Sequence, residues 1–466
     1  YIDNPYWASY TSYSDENRDR VYGNAGVEWN IAKGLKATAK VHGDVYTYSV
    51  EDRIAVYSRT TSMYSEKVQR FQEFNYEAML HYNTALKNFT LNAFIGTNLM
   101  HQRRNINNGE TQGGLIIPEY YNLSNATSVL TTDKTYRKEI RSLLGNVSLG
   151  WKSMLFADAT FRNDWSSTLP ANENSYFYPS FSGSFIFTEL EPVKAVSWLN
   201  FGKVRLGWAQ VGNDTDPYSL SRTYEYKNSS FGGVPNYGLD IILNNAHLKP
   251  ELTNSVEAGI ELKLLNNRVG LDLTYYNNLT KNQIMQVPLA ASSGYTSQWM
   301  NAGEISNKGL EVVLNVVPVQ TANFQWEATF NWSKNNNKVE KLNDQLKTLQ
   351  IASSFVALHA TVGKPYGELM GYNYVFDSEG NKVVAANGVY AKTAQTEGLG
   401  SVLPDWLGGV RNSFRYKNFD AGFLIDVRKG GYFYSITQQY GMYSGTLEET
   451  AANGIRENGL VLEGVQ

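Results

Sequence analysis

The chain has 466 residues, a net charge of −3, 42% hydrophobic residues and no cysteine, which excludes disulfides, thiolate metal centres and cysteine nucleophiles. Its mean hydropathy is −0.39 and its apolar runs fall far short of the ~20 residues of a membrane helix. No block of Lys and Arg follows a phosphate backbone, so helical membrane proteins and nucleic-acid binders are both excluded.

Alternation dominates the chain from Leu35 onward. Leu35, Ala37, Ala39 and Val41 interleave with Lys36, Thr38 and Lys40, and Phe74, Tyr76, Ala78, Leu80 and Tyr82 with Asn75, Glu77, Met79 and His81. Strand side chains point alternately to opposite faces, so each run predicts a strand with one oily face. The same pattern marks strands through Phe89 to Ile95, Leu143 to Trp151, Leu155 to Phe161 and Val204 to Trp208. Val256 to Leu264 and Val269 to Tyr275 form a hairpin around the turn at residues 265–268. Further strands run through Leu310 to Val316, Phe324 to Trp332 and Phe419 to Val427. Nine residues at ~3.3 Å and a tilt of ~45° cover about 21 Å, close to the ~25 Å apolar band of an outer-membrane barrel.

The connections alternate as well. Short links are expected at 32–34, 84–88, 152–154, 265–268, 317–323 and 416–418, with long polar segments at 101–135, 162–176, 213–253, 277–298 and 343–404. One rim is trimmed and the other carries large loops, the asymmetry of barrels with short periplasmic turns and long extracellular loops. About seven hairpins predict about fourteen strands in one continuous sheet. Irregular spacing argues against a propeller or solenoid. A soluble sandwich alternates in the same way but seldom runs so many strands in one domain. The fold class expected is all-β, a partial transmembrane antiparallel β-barrel.

Chemistry-bearing motifs are absent, and the five histidines are widely scattered, so neither catalytic residues nor a metal or other cofactor is expected. Glu257, Glu261 and Asp272 lie close across the hairpin and fit an acid/base pair on paper, but a charged lumen wall accounts for them with less. Arg205, Glu257, Glu261, Lys263, Asp272, Glu311 and Glu327 are assigned to that wall. Asp164 and Trp165, at a strand end opening into a loop, read either as a ligand contact or as a turn-capping carboxylate beside an interface tryptophan. Tyr176, Tyr178 and Tyr218 are equally suited to gripping a ligand or a protein partner.

These residues resemble the SusC/RagA-like TonB-dependent transporters of Bacteroidetes outer membranes. The resemblance rests on Asn4-Pro5-Tyr6-Trp7, Arg162 with Asp164-Trp165-Ser166-Ser167, Tyr178-Pro179-Ser180, and Lys203 through Asn213 (KVRLGWAQVGN). It continues in Leu248-Lys249-Pro250-Glu251, Tyr275-Tyr276 and Asn301 through Glu311 (NAGEISNKGLE), then Gly371-Tyr372, Pro404 with Gly408-Gly409, and Gly430-Gly431. It implies a barrel of about 22 strands around a plug, a SusD-like lipoprotein lid, the TonB-ExbB-ExbD complex acting through the plug, and a dimer of transporter–lid pairs. The implied function is active import of an oligosaccharide or oligopeptide, without enzymatic chemistry. A passive porin or surface adhesin on the same barrel is the alternative, and a soluble carbohydrate-binding or hydrolytic β protein the more distant one. About fourteen strands do not complete such a cylinder, so residues 1–466 are expected to be the central part of the barrel domain, without plug or closing strands. The 265–268 turn is assigned to the periplasmic rim, and Tyr275 and Tyr276 to the outer-leaflet end.

Overall fold

The computed structural model describes residues 3–231, 234–343 and 346–465. Residues 232, 233, 344 and 345, within two of the expected long segments, lie outside it. Fourteen strands make one sheet in chain order. They are β1 (Ser14–Ala32), β2 (Leu35–Ile54), β3 (Met63–Leu86), β4 (Phe89–Gln112), β5 (Ser128–Trp151), β6 (Leu155–Ser166), β7 (Ser175–Ile186), β8 (Leu199–Asn213), β9 (Glu251–Leu264), β10 (Val269–Lys281), β11 (Glu304–Gln320), β12 (Phe324–Lys341), β13 (Trp406–Tyr416) and β14 (Phe419–Lys429). By contact the chain divides into two units. One comprises Tyr1–Phe185, Gly207–Asn254 and Asn282–Asn301, the other Ile186–Leu206, Ser255–Lys281 and Ala302–Gln466.

In the first unit the antiparallel register carries the alternation from strand to strand. One row runs Trp29, Ala37, Leu80, Ile95, Gly145, Phe161, Pro179, and the next row, on the opposite face, runs Lys36, His81, Phe94, Asn146, Thr160, Ser180. The first is an oily face and the second a mostly polar one. β3, β4 and β5 each have 24 residues, about 80 Å along the strand and about 60 Å in height at a ~40° tilt, more than twice the apolar band. This corrects the expected loop at 101–135: pairing continues to Gln112 and resumes at Ser128, leaving only 113–127 as the connection. Where both faces of a strand meet water the hydrophobic signal ends while backbone pairing goes on.

In the second unit the strands are shorter, 11 residues in β13 and in β14. The turn after β9 is tight, with Leu265, Asn266 and Asn267 at φ of 55°, 58° and 62°, a conformation asparagine tolerates well. The expected loop at 343–404 instead carries a small sheet of Thr348–Ser353, Ala357–Thr361, Glu368–Gly371 and Glu397–Ser401. In its turn Asp377 accepts from the Asn381 side chain and from the backbone N–H groups of Asn381 and Glu379, which holds the carboxyl below its ordinary range.

Three strands lack a sequence signal. β1 is interrupted by charge, β7 places aromatics on both faces, and β13 contains Gly408-Gly409 and Asn412. The connection at 187–198, also unread, holds the one-turn helix Phe187–Glu189 and the short helix Glu191–Lys194. The opening Asn4-Pro5-Tyr6-Trp7 is a helix start: Asn4 caps Pro5–Thr11 by accepting from the Tyr6 and Trp7 amides, with Pro at the first position.

Candidate functional site

The polar face of the first unit holds a cluster where β5, β6 and β7 approach the long-loop rim. Register places Arg162 opposite Tyr178 and Asp164 opposite Tyr176. Asp164 is 5% exposed. It accepts from Arg162 Nε at 2.8 Å and from the Tyr178 hydroxyl at 2.5 Å, and Arg162 also donates to Ser142 Oγ at 2.9 Å. The Tyr176 and Tyr178 rings stack with centroids 5.9 Å apart. Trp165 does not join them. As the next strand residue it faces the oily side, opposite Arg141. Asp164 and Trp165 thus point to opposite faces of the sheet.

Beside this lies a second carboxylate that sequence reasoning missed. Asp214 pairs with Lys138 at 2.6 Å and accepts from Ser166 Oγ at 2.5 Å and Thr168 Oγ1 at 3.1 Å. Ser166 of the Asp-Trp-Ser-Ser stretch thus ties the 214 loop to the sheet. Arg104 lies over the Tyr136 ring at 4.6 Å, and Tyr136 packs against Tyr218 with centroids 6.1 Å apart. Tyr218 is 58% exposed, so this guanidinium–phenol–phenol ladder ends in an accessible ring. Leu248, Leu169 and Tyr176 form an apolar core beneath, packed by Leu220, Ile284 and Trp299.

Two further stretches of the resemblance are docking elements. Asn301 exchanges hydrogen bonds with the Lys249 backbone at 2.8 Å and donates to the Asn282 carbonyl, while Glu251 accepts from the Ile284 amide. Lys249, Glu251 and Asn301 thus hold one loop base together.

In the second unit the polar face carries ion pairs. Arg205 donates to both Asp272 oxygens at 3.0 and 2.6 Å and to Thr274 Oγ1 at 2.5 Å. Its path crosses Gly259, where a Cβ would stand 2.6 Å from Arg205 Nε. Lys203 pairs with Glu261 at 2.8 Å, and Lys263 lies over the Phe201 ring at 5.4 Å. Glu257 is exposed on the same strand face as Glu261. Glu311 sits opposite Thr274 in β10, and Glu327 opposite Ser413 in β13. Gly309 serves the same purpose as Gly259: a Cβ there would collide with the Tyr276 phenol. Among the described residues no group of acidic, His or Cys side chains is arranged to hold a metal ion.

The sequence profile of the "TonB dependent receptor-like, beta-barrel" domain matches residues 1–452. TonB-dependent receptor P3 of Formosa agariphila is 25% identical over 92% of this chain and 46% of its own length. TonB-dependent receptor P26 of the same organism is 27% identical over 68% of the chain and 34% of its own length. TonB-dependent receptor SusC of Bacteroides thetaiotaomicron is 25% identical over 64% and 32%. The matched stretch therefore spans 32% to 46% of the length of these relatives. Among solved structures, the RagAB peptide transporter superposes with a TM-score of 0.76 at 19% identity, over 90% of this chain and 49% of that one, a likeness of fold.

Proposed function

The chain belongs to the TonB dependent receptor-like β-barrel family, a family of outer-membrane barrels, and from that premise we propose that it is the central part of an importer. Its cargo is an oligosaccharide or oligopeptide, taken up actively with energy delivered through TonB, ExbB and ExbD. The observation that carries this is the polar face. The polar face of the first unit carries Arg162–Asp164, and that of the second carries Lys203–Glu261 and Arg205–Asp272, in each case paired ions on a wetted face suited to passing polar cargo. Tyr136 and Tyr218 offer stacking surfaces at the long-loop rim, with Asp164, Tyr176 and Tyr178 as the anchored support behind them.

Among the described residues β1 pairs only with β2 and β14 only with β13, and an open edge is a template for further pairing. We assign those edges to strands outside this stretch, which close the barrel around a plug, with a SusD-like lipoprotein over the mouth and two such pairs per assembly. The name of one relative, TonB-dependent receptor SusC, supports the dependence on TonB. The test is purification of the full-length protein from membranes in mild detergent, with mass spectrometry of what accompanies it. A surface lipoprotein and a bound oligomer are expected. Recovery from the soluble fraction refutes the placement, absence of the lipoprotein refutes the lidded importer, and steady conductance without TonB would make it a passive pore.

A further inference from the structure

The oily face ends in a patch of arginines. Along β5 the outward residues from Trp151 through Leu149, Val147, Gly145 and Leu143 to Arg141 span ten positions, about 33 Å of strand and about 25 Å in height at ~40° tilt, the thickness of the apolar band. Arg141 therefore stands where lipid tails give way to headgroups, and Trp165, its register partner, is an interface tryptophan. Directly above, the outward positions of three adjacent strands bring together Arg103 opposite Arg137, Gln72 opposite Arg103, and Arg70 one row further opposite Asn105. All four arginines are exposed. The carboxylate in these rows, Glu139, is occupied by Arg141 at 2.7 Å and His101 at 3.3 Å. Arg103 donates to Asn105, and among the described residues Arg70 and Arg137 have no hydrogen-bond or ion-pair partner.

Like charges directly opposite on a sheet destabilise it. Here Arg103 and Arg137 face each other and share a concavity of about 500 Å³ with Gln72, Phe74, Lys138 and Glu139. Below it, within the apolar band, an open groove of about 600 Å³ runs over Ala93, Ala159 and Val147, walled by Phe161, Phe177 and Phe181. An anionic head above an acyl-chain groove describes one kind of ligand. We propose that this face binds a phosphorylated lipid of the outer leaflet, its phosphate held by Arg103 and Arg137 with Arg70 beside them, and an acyl chain lying in the groove below. Guanidinium forks match phosphate oxygens in bidentate fashion. The phosphate relieves the Arg103–Arg137 repulsion and so stabilises the long β3–β5 wall where it leaves the membrane.

The inference rests on the outer-membrane placement proposed above. Full-length protein, delipidated in detergent, is titrated with lipid A, with its dephosphorylated form and with inorganic phosphate, and binding is read by native mass spectrometry. Lipid A is expected to bind about tenfold more tightly than the dephosphorylated form. The double variant R103A/R137A should lose that preference, R103K/R137K should retain part of it, and heat-modifiable gel mobility checks that both variants fold. Unchanged lipid A binding by folded R103A/R137A overturns the proposal while leaving the importer intact. Equal affinity for inorganic phosphate makes the patch an anion site without lipid specificity, and loss of the lipoprotein partner with lipid binding intact makes it a protein-docking surface; each also overturns it. Recovery of the protein without detergent would remove the membrane placement itself.

Discussion

Replacing Gly259 by alanine sets two effects of opposite sign against each other. Strand propensity favours the change by about 0.5–1 kcal/mol, because glycine loses more backbone entropy on folding. Contact opposes it, since the new methyl would lie 2.6–2.9 Å from three atoms of the Arg205 guanidinium. That guanidinium must then withdraw from two bonds to Asp272 and one to Thr274. Bonds to charged groups contribute about 1.5–3 kcal/mol when well shielded. These side chains are 33% and 36% exposed, so solvent screening reduces the whole arrangement to about 1–2 kcal/mol. The net expectation is a loss of about 1 kcal/mol, read as a lower urea midpoint with unchanged slope, following the folded fraction of the full-length barrel in vesicles. In a D272A background the ion pair is already gone, and the same substitution should become stabilising by the propensity term alone. A stabilised G259A in the native background, or an equal effect in both backgrounds, refutes the steric account.

D164A should cost more, about 2–3 kcal/mol, because it strands the Arg162 guanidinium and the Tyr178 hydroxyl at a site where the carboxylate is 5% exposed; a urea midpoint unchanged from the native protein would count against it. Y218A should weaken cargo binding by about threefold to tenfold, the range of one aromatic stack, without moving the unfolding midpoint; calorimetry with the cargo recovered in purification decides it. The Asp377 turn should loosen in acid. Its carboxyl is held below the ordinary value of 3.8, so its contribution is fully present above that value and is lost as pH falls through the lower, folded one. A spin label at Glu379 should become mobile as pH falls through that lower value, beneath 3.8, while D377A should be mobile throughout; a label equally immobile in strong acid contradicts the assignment.

Much of the sheet was legible because lipid and lumen impose opposite demands on neighbouring residues. Leu35 to Val41, Val256 to Leu264 and Phe324 to Trp332 alternate cleanly, and β2, β9 and β12 lie there. The signal fades wherever one demand is lifted. β3, β4 and β5 continue far beyond their alternating parts because both faces there meet water, and β7 is masked by aromatics on both sides. The candidate site was harder to read, since a motif is linear and a strand is two-sided. Asp164 and Trp165 are adjacent in sequence and point to opposite environments. Asp214, which anchors the loop to Lys138 and Ser166, carries no local pattern; its partners lie 76 and 48 positions away.

By itself the sequence determined that this is an antiparallel β protein of about fourteen strands with one oily face, short turns on one rim and long segments on the other, because period-two alternation and turn residues are local quantities. Only the tertiary structure decided which charges meet. Register, fixed by backbone pairing across the sheet, places Arg205 on Asp272 over Gly259 and sets Arg103 against Arg137. A shift of one residue would exchange the two faces of every strand. Charges separated by tens of residues become neighbours through that register alone, and no local pattern encodes it.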